Sequence, residues 1–488
     1  MRRSELSRAE RLVWRAFASG EAVDFSASPD EDATAGASWG RDRTVRASVL
    51  RALLLNGPTR DGEVAALRVN GARIVGRLNL RYATVDHAVR LWGCHFEEVP
   101  NLYGGRFRQV NLSRSYLPGL EAATIRVAGV LRITDCVIPG PVELGGARVE
   151  GALFMDRARL GEPGREGTQI LHLNHTTFSD DVWGPGLRTH GEFSLVGARI
   201  AGTLNLEGAV LCHPGHTVLH GEMAAIGNDV RARDLRTDGR VNLRGVRVGG
   251  QVNLAHARLS NPGGVALRVS GCTIGELWLR EAEPIVGQVN MRRASFRLLH
   301  VPPDVWPETV SFEGLDYGSL TPRLPAHARI EVFQRDQSGY VPHSYEQLAA
   351  YYRRVGDEKA ARNVQIAKQR HYRRTLPWYG RVWGYLQDWA VGYGYRPLRA
   401  AAWLVALWGL GALVFWLHNP PPVKADEHPP FNASAYSLDL LLPIISFGQE
   451  DRFAPRGGYQ WLSYALIIAG WTLASTTIAG VSRALNRQ

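Results

Sequence analysis

The sequence predicts a mainly β protein: a solenoid with a square core, held to a membrane by helices in its C-terminal part. Three observations predict it. One phrase recurs as GARIVGRLNL, GARVEGALFM, GARIAGTLNL and GVRVGGQVNL, starting at Gly71, Gly146, Gly197 and Gly245. Large apolar residues return through this region after five and then six positions. Two uncharged apolar runs, at 400–417 and 461–481, follow the repeats.

Bulk properties fit that reading. A chain of 488 residues is too long for one ordinary domain. Its 52 glycines favour turn-rich β structure. The net charge of +11 is carried almost wholly by arginine. Such a balance suits nucleic acid or an anionic membrane surface, so its distribution decides. Arginine is spread along the repeats rather than gathered with stacking aromatics, which argues against nucleic acid. Cys94, Cys136, Cys212 and Cys272 form no C-x-x-C, so neither a zinc ribbon nor a thioredoxin-type site is indicated, and buried reduced thiols are expected. The N-terminal stretch lacks an uninterrupted apolar segment, so no secretory signal is expected.

Taken in order, residues 1–58 read as two short amphipathic helices. Leu6, Val13 and Phe17 mark one face, and Val45, Val49 and Leu53 the other helix. A solenoid needs a non-repeating end over its open core, and this segment suits that cap. Residues 59–300 carry the repeats. The series Ile74, Leu80, Val85, Leu91, Phe96, Leu102, Phe107 shows the five-six rhythm. A helix of 3.6 residues per turn scatters such positions. A chain that turns a corner every five or six residues points them all inward. Small residues two places earlier, such as Ala72, Ala83 and Cys94, fit inside the corners.

These residues resemble the pentapeptide-repeat family of right-handed quadrilateral β-helices, with a sixth residue inserted in alternate units. The resemblance implies a circuit of about 22 residues and a scaffold rather than a chemistry. Pro163-Gly164, Pro214-Gly215 and Pro262-Gly263 follow Leu160, Leu211 and Leu259. Pro-Gly marks a turn, so inserts are expected to bulge from one edge, a candidate ridge for a protein partner. His172, His175, His190, His213, His216 and His220 cluster nearby. Nitrogen ligands at close spacing suit zinc, but the rhythm points them to different corners, and no metal or cofactor is predicted.

Residues 301–343 read as a linker. At 344–375 a helical hairpin is expected, opened by the capping box Ser344-x-x-Gln347 and broken at Gly356. At 376–396 an interfacial amphipathic helix is expected, with Trp378, Arg381, Trp383, Trp389 and Arg396 at the lipid boundary. The VGYG string at 391–394 reads as the turn that ends it. Residues 397–488 read as two transmembrane helices, each long enough for a hydrocarbon core of about 30 Å. Arginines flank the pair, so both termini and the solenoid are expected on the cytoplasmic side of the plasma membrane.

The intervening stretch holds a re-entrant-like loop at 431–451. A short helix, Pro443 and an apolar extended run follow the order of a two-helix cation-channel pore, without its T-V-G-Y-G filter. Ser437, Asp439, Pro443, Ser446, Phe447, Gly448 and Gln449 are the candidate pore loop. Small residues in the last helix suit helix packing and a homo-oligomer. The GAR-type circuits, the YEQLAAYYRR…AKQR hairpin, the VGYGYRP turn and the SLDLLLPIISFGQE loop together resemble a group of actinobacterial membrane proteins commonly labelled membrane-associated oxidoreductases. That label implies redox chemistry, yet no dinucleotide, haem or iron–sulfur motif is present. The expected functions are therefore a membrane-anchored binding scaffold or sensor, an oligomeric channel gated by the solenoid, or an oxidoreductase by resemblance alone.

Overall fold

Side chains that point inward every five or six residues must be covered by the next circuit of the chain. The computed structural model describes residues 6–164, 169–395, 397–424, 429–442 and 446–485, and it divides into two units, Met1–Tyr351 and Tyr352–Gln488. The first unit is a β-solenoid. Leu131 lies beside Leu153 and Arg126 beside Arg148 in parallel register, so one circuit takes 22 residues. Each circuit contributes short strands on four sides. The inner residues form columns such as Val142, Leu171, Phe193, Leu219, Val241 and Leu267, all buried. Neighbouring rungs sit about 4.8 Å apart, and each buried aliphatic contributes about 1.5–3 kcal/mol of transfer free energy.

Three circuits are longer. Val149 meets Phe178 after 29 residues; Phe193 meets Leu219, and Val241 meets Leu267, after 26. The surplus falls at the three Pro-Gly sites. Leu160, Leu211 and Leu259 share one column, alternating with Thr189 and Thr237, so the inserts leave one edge in alternate circuits. A side chain closes each of the last two. His213 Nδ1 meets Thr217 O at 2.9 Å, and Asn261 Nδ2 donates to Val265 O at 2.9 Å. The next circuit passes beneath the first of these at Gly239, whose φ is +130°; a Cβ there would meet His213 O at 2.5 Å and His216 O at 3.0 Å.

Both ends of the solenoid are covered. Helix α1 (Arg8–Ser19) buries Ala9, Val13 and Phe17, and α2 (Ala47–Asn56) buries Val49, Leu50, Leu53 and Leu54. Val45, expected on the second helix, instead lies in a strand paired with Ile74, while Val23 pairs with Val69. The cap thus adds strands to the first circuit and removes its free edge. The Glu10 carboxylate joins the two helices. It accepts from Arg46 Nε (2.7 Å), Arg46 Nη2 (2.8 Å), the Arg46 N–H (3.1 Å) and the Ser7 N–H (2.8 Å).

At the far end, strands continue to Asp316–Thr321, inside the stretch read as a linker, and α3 (Ala326–Phe333) and α4 (Pro342–Arg354) follow. Asp336 Oδ2 accepts the Phe312 N–H (2.8 Å), and Tyr351 Oη donates to Leu320 O (2.8 Å). The expected capping box does not form. Pro342 starts α4 two residues before Ser344, as a proline in the first turn does, and the Gln347 amide reaches Tyr317 O (3.1 Å) on the last circuit instead.

Two outcomes are expected. Gly239→Ala costs about 2–3 kcal/mol through strain and the clash with His213 O. Gly208→Ala, where a Cβ meets nothing within 4 Å, costs about 1 kcal/mol. Urea midpoints of the two variants measure the difference, and equal losses would show that the insert yields. Burial alone raises the Glu10 pKa, but hydrogen bonds from Arg46 and the Ser7 N–H outweigh it and hold the group below its ordinary 4.5. Its stabilisation is therefore present above pH 4.5 and lost as pH falls through the lowered value. Protection of the α1 amides, taken relative to the intrinsic exchange rate at each pH, should fall on acidification in the natural protein, and be lowered already at neutral pH in Glu10→Gln.

Candidate membrane-contact module

The second unit starts with α5 (Glu358–Thr375), whose N-terminus is capped by Asp357 Oδ1 accepting the Ala360 N–H at 2.9 Å. Helix α6 (Trp378–Val391) follows Pro377 and ends at Gly392 in the left-handed region, φ +56°. The 392–394 stretch is the turn read from the sequence. Trp378, Trp383 and Trp389 are 76%, 55% and 64% exposed, and Tyr385 and Leu386 are exposed beside them. Arg381 is exposed too, with Nε donating to Leu376 O at 2.7 Å. Arg396 lies outside the described residues. Tryptophan and tyrosine presented in this way, beside arginine, suit the boundary between lipid and water.

Asp388 is the one carboxylate between Lys359 and Arg399. It takes a bidentate pair from Arg370 (2.9 and 3.0 Å) and a bond from Arg373 (3.3 Å), which also donates to Tyr393 Oη (3.2 Å) and lies 3.8 Å from the centre of the Tyr385 ring. Burial raises the Asp388 pKa, but the two guanidinium groups outweigh it and the result is a lowered value. This latch ties α5 to α6. Sequence reasoning missed it, although a lone acid in so basic a run was the available signal.

Helix α7 (Pro397–Leu417) is apolar all round and little covered by protein. Among the described residues it is the one helix long and apolar enough to cross a membrane, over Arg399–Leu417. The expectation of two transmembrane helices, with both termini cytoplasmic, is therefore corrected to a single such helix. The second apolar run does form a helix, α9 (Gly458–Leu485). Its side chains are described only as far as Ala474, a stretch too short to qualify as a span; at its start Gln460 Nε2 donates to Tyr464 Oη (2.8 Å), and Ser463 Oγ to Gln460 O (2.8 Å). Of Ser463, Thr472, Ser475, Thr476, Thr477 and Gly480, on which oligomer packing was expected, the side chains of the last four lie outside the described residues.

Between α7 and α9 sits the short helix α8 (Ala433–Leu441), capped by Asn432, whose Oδ1 accepts from Ser434 N (3.1 Å) and Ala435 N (3.2 Å). Tyr436, Leu440 and Leu441 pack with Phe415, Phe453 and Leu466. Two glycines admit it. A Cβ on Gly411 would meet Ser437 Oγ at 3.0 Å, and one on Gly470 would collide with Leu441 O.

Asp439, a candidate pore-loop residue, is 5% exposed and turned into the loop behind its own helix. Its Oδ2 accepts the N–H of Gln449 (2.7 Å) and Glu450 (3.2 Å), and its Oδ1 accepts that of Phe447. Ser446 Oγ accepts the Gly448 N–H (3.2 Å). Gln449 reaches back to Asn432 N (3.3 Å) and Pro430 O (3.4 Å). Phe447 is exposed, and Ser437 is fully buried with no partner for its Oγ among the described residues. Pro443 lies outside the described residues. The arrangement fastens 446–450 along α8. Burial, followed by repulsion from Asp439 and Asp451, raises the Glu450 pKa.

The solenoid's own reactive side chains are quiet. Burial pushes the thiols of Cys94, Cys136 and Cys272 up to about 12, far from a nucleophilic range at neutral pH. His172 and His220 share one outer column two rungs apart. His220 Nδ1 lies 3.2 Å from Glu192, while His213 stacks on His216 at 4.8 Å. Among the described residues no three ligand-type side chains are placed to hold a metal ion. The spacing also hid a polar cleft of about 510 Å³, where Asp30, Glu31 and Asp32 of the cap loop face Arg114, Arg157 and Arg159. Asp30 and Arg114 pair at 3.1 Å across 84 residues of sequence.

No family model, curated protein or solved structure matches this chain. The geometry alone gives a β-solenoid joined in sequence to a unit with one long hydrophobic helix.

Asp439→Ala removes the acceptor of three backbone N–H groups, each worth more than about 1 kcal/mol to a charged partner. Trypsin is expected to cut at Arg452 at least about tenfold faster in this variant, with Asp439→Asn between. Unchanged cleavage would assign the fastening to Gln449.

Proposed function

We propose that this chain is a membrane-attached β-solenoid that works as a binding scaffold. One observation carries the reading: α7 presents Val405, Leu410, Leu413 and Trp416 outward, beside the exposed tryptophans of α6. An exposed apolar surface of this extent on a soluble unit is an association site or an aggregation hazard. Its order here, a basic aromatic helix followed by an apolar helix of 19 residues whose one charge is Arg399 at its start, matches a lipid boundary followed by a hydrocarbon core. The solenoid supports the scaffold half of the reading, because long flat sides with regular rungs are surfaces for extended partners.

The channel and oxidoreductase readings draw no support from a particular residue. The Asp439 carboxylate is engaged by backbone N–H groups of its own loop, and three of the four thiols are buried with raised pKa values. The resemblance to proteins labelled membrane-associated oxidoreductases rests on sequence phrases alone.

The test is extraction of the full chain from vesicles. The natural protein should stay with lipid at alkaline pH and float with it. Leu410→Arg with Leu413→Arg should release it, since each arginine costs about 2.5–3.5 kcal/mol at the centre of a span. Replacing Trp378, Trp383 and Trp389 by serine should weaken attachment without abolishing it. A natural protein that washes free at alkaline pH would sink the proposal.

A further inference from the structure

A stack of identical circuits repeats its outer side chains as strictly as its inner ones. On one side the rungs directly opposite each other are Arg106, Arg126 and Arg148, and the column continues through Arg199 and Arg247 with Thr177 and Ala225 between. All five arginines are exposed. Like charges directly opposite in a sheet are destabilising, and rungs are only about 4.8 Å apart. Some other outer arginines are relieved: Arg157 pairs with Asp135 at 2.8 Å, and Arg258 with Glu283 at 3.5 Å; the further like-charge contacts, Arg159 opposite Arg188 and Arg236 opposite Arg258, are interrupted by Val210 and form a shorter run. Along this column no arginine has an acidic partner among the described residues.

The adjoining side of the same sheet extends the pattern. Arg68 stands opposite Arg90, and further rungs are Asn111, Arg132, Phe154 and Trp183. Neither column holds an acid from Arg68 to Ser295. At the corner between them, Asp181 and Asp229 are engaged by the next circuit, accepting Thr203 N (2.6 Å) and Gln251 N (2.9 Å), and Glu276 accepts Trp278 Nε1 (2.8 Å); Asp86, Glu150 and Asp180 stand at that corner without pairing to the arginines of either column. Two of the aromatics of the second column are stacked within the ladder. The Arg132 guanidinium lies 4.0 Å from the Phe154 ring centre, and Trp278 stacks on His300 at 4.7 Å and 16°.

We propose that this acid-free double column binds an acidic polysaccharide lying along the solenoid axis. The partner must be anionic, because the ladder's repulsion is relieved only by negative charge. It must be linear, because the arginines form a column and not a disc. It must place its charges at regular intervals near the rung spacing, as a chain of uronic acid rings does. A single-stranded nucleic acid fits less well, since its bases need a run of free ring faces and, among the aromatics of this column, Phe154 and Trp278 are already engaged by Arg132 and His300, which leaves Trp183 alone. A bilayer fits less well, because the aromatics are half-buried rather than projecting. The inference deepens the scaffold reading and rests on it for the solenoid's role, but not on membrane attachment.

The test uses the full chain in nanodiscs of neutral lipid, with a fluorescent oligogalacturonate as probe and oligouridylate of equal charge as comparison. Binding of the uronate is expected, weakening steeply as salt rises. Arg126→Ala with Arg148→Ala should weaken it about tenfold, the matching lysine pair should retain most of it, and Arg233→Ala with Arg244→Ala, whose charges are already met by Asp234 and Glu222, should leave it unchanged. Unchanged melting of the variants separates lost contacts from lost fold. No uronate binding at low salt, indifference to Arg126 and Arg148, or tighter binding of oligouridylate would each overturn the proposal. Failure of nanodisc insertion, read separately by flotation, would instead count against the membrane reading.

Discussion

Parallel register between successive circuits is the constraint on which the rest of the first unit depends. Once Leu131 lies beside Leu153, every inner residue of one circuit must be covered by its counterpart in the next. The chain then has little freedom in circuit length. Extra residues are tolerated only where they leave the stack altogether, and all three inserts do so from one edge. Their closure by His213 and Asn261, two different residue types making the same bond to a carbonyl four places on, shows that geometry and not residue chemistry is being repeated.

A stacked sheet ends in unpaired backbone groups, and the two ends solve this differently. The first circuit is completed by strands from the helical cap, with Glu10 fastening the cap's two helices through four hydrogen bonds. The last circuit is closed by side chains from a following turn and helix, Asp336 and Tyr351. The second unit has no stack and relies on close approach of helices. Gly411 and Gly470 leave room for α8, and Asp439 and Asp388 each gather donors that would otherwise be unsatisfied or mutually repelling.

Much of the solenoid was legible because its signal is periodic. Ile74, Leu80, Val85, Leu91, Phe96, Leu102 and Phe107 are all buried, as a square core requires, and the Pro-Gly pairs mark the surplus in circuit length. What stayed hidden was not periodic. Ser344 and Gln347 have capping-box spacing, but Pro342 fixes the helix start and the sheet edge competes for the Gln347 amide. The second apolar run was read as a span because it lacks charge, while its described side chains stop at Ala474 and include Ser463 and Tyr464 near its start, both hydrogen-bonded to Gln460 just before it. Asp439 looked like a pore residue because a carboxylate in an apolar run is conspicuous. Only the folded loop shows that its oxygens face backbone N–H groups.

The same strict repetition explains why the arginines of the recurring phrase carry more information together than singly. In sequence, Arg126, Arg148, Arg199 and Arg247 are scattered by about two dozen residues or more, which reads as a dispersed charge. Folding brings them into a single column, and dispersion becomes a ladder of like charge. Register that favours the inside thereby imposes a cost on the outside. A sequence free to vary its outer positions relieves that cost with alternating signs, as Asp135 and Arg157 do at a neighbouring corner. Where it keeps one sign for several rungs, the relief has to come from outside the chain. The inner columns thus account for the fold, and the outer column, by the tension it retains, points to what the fold is for.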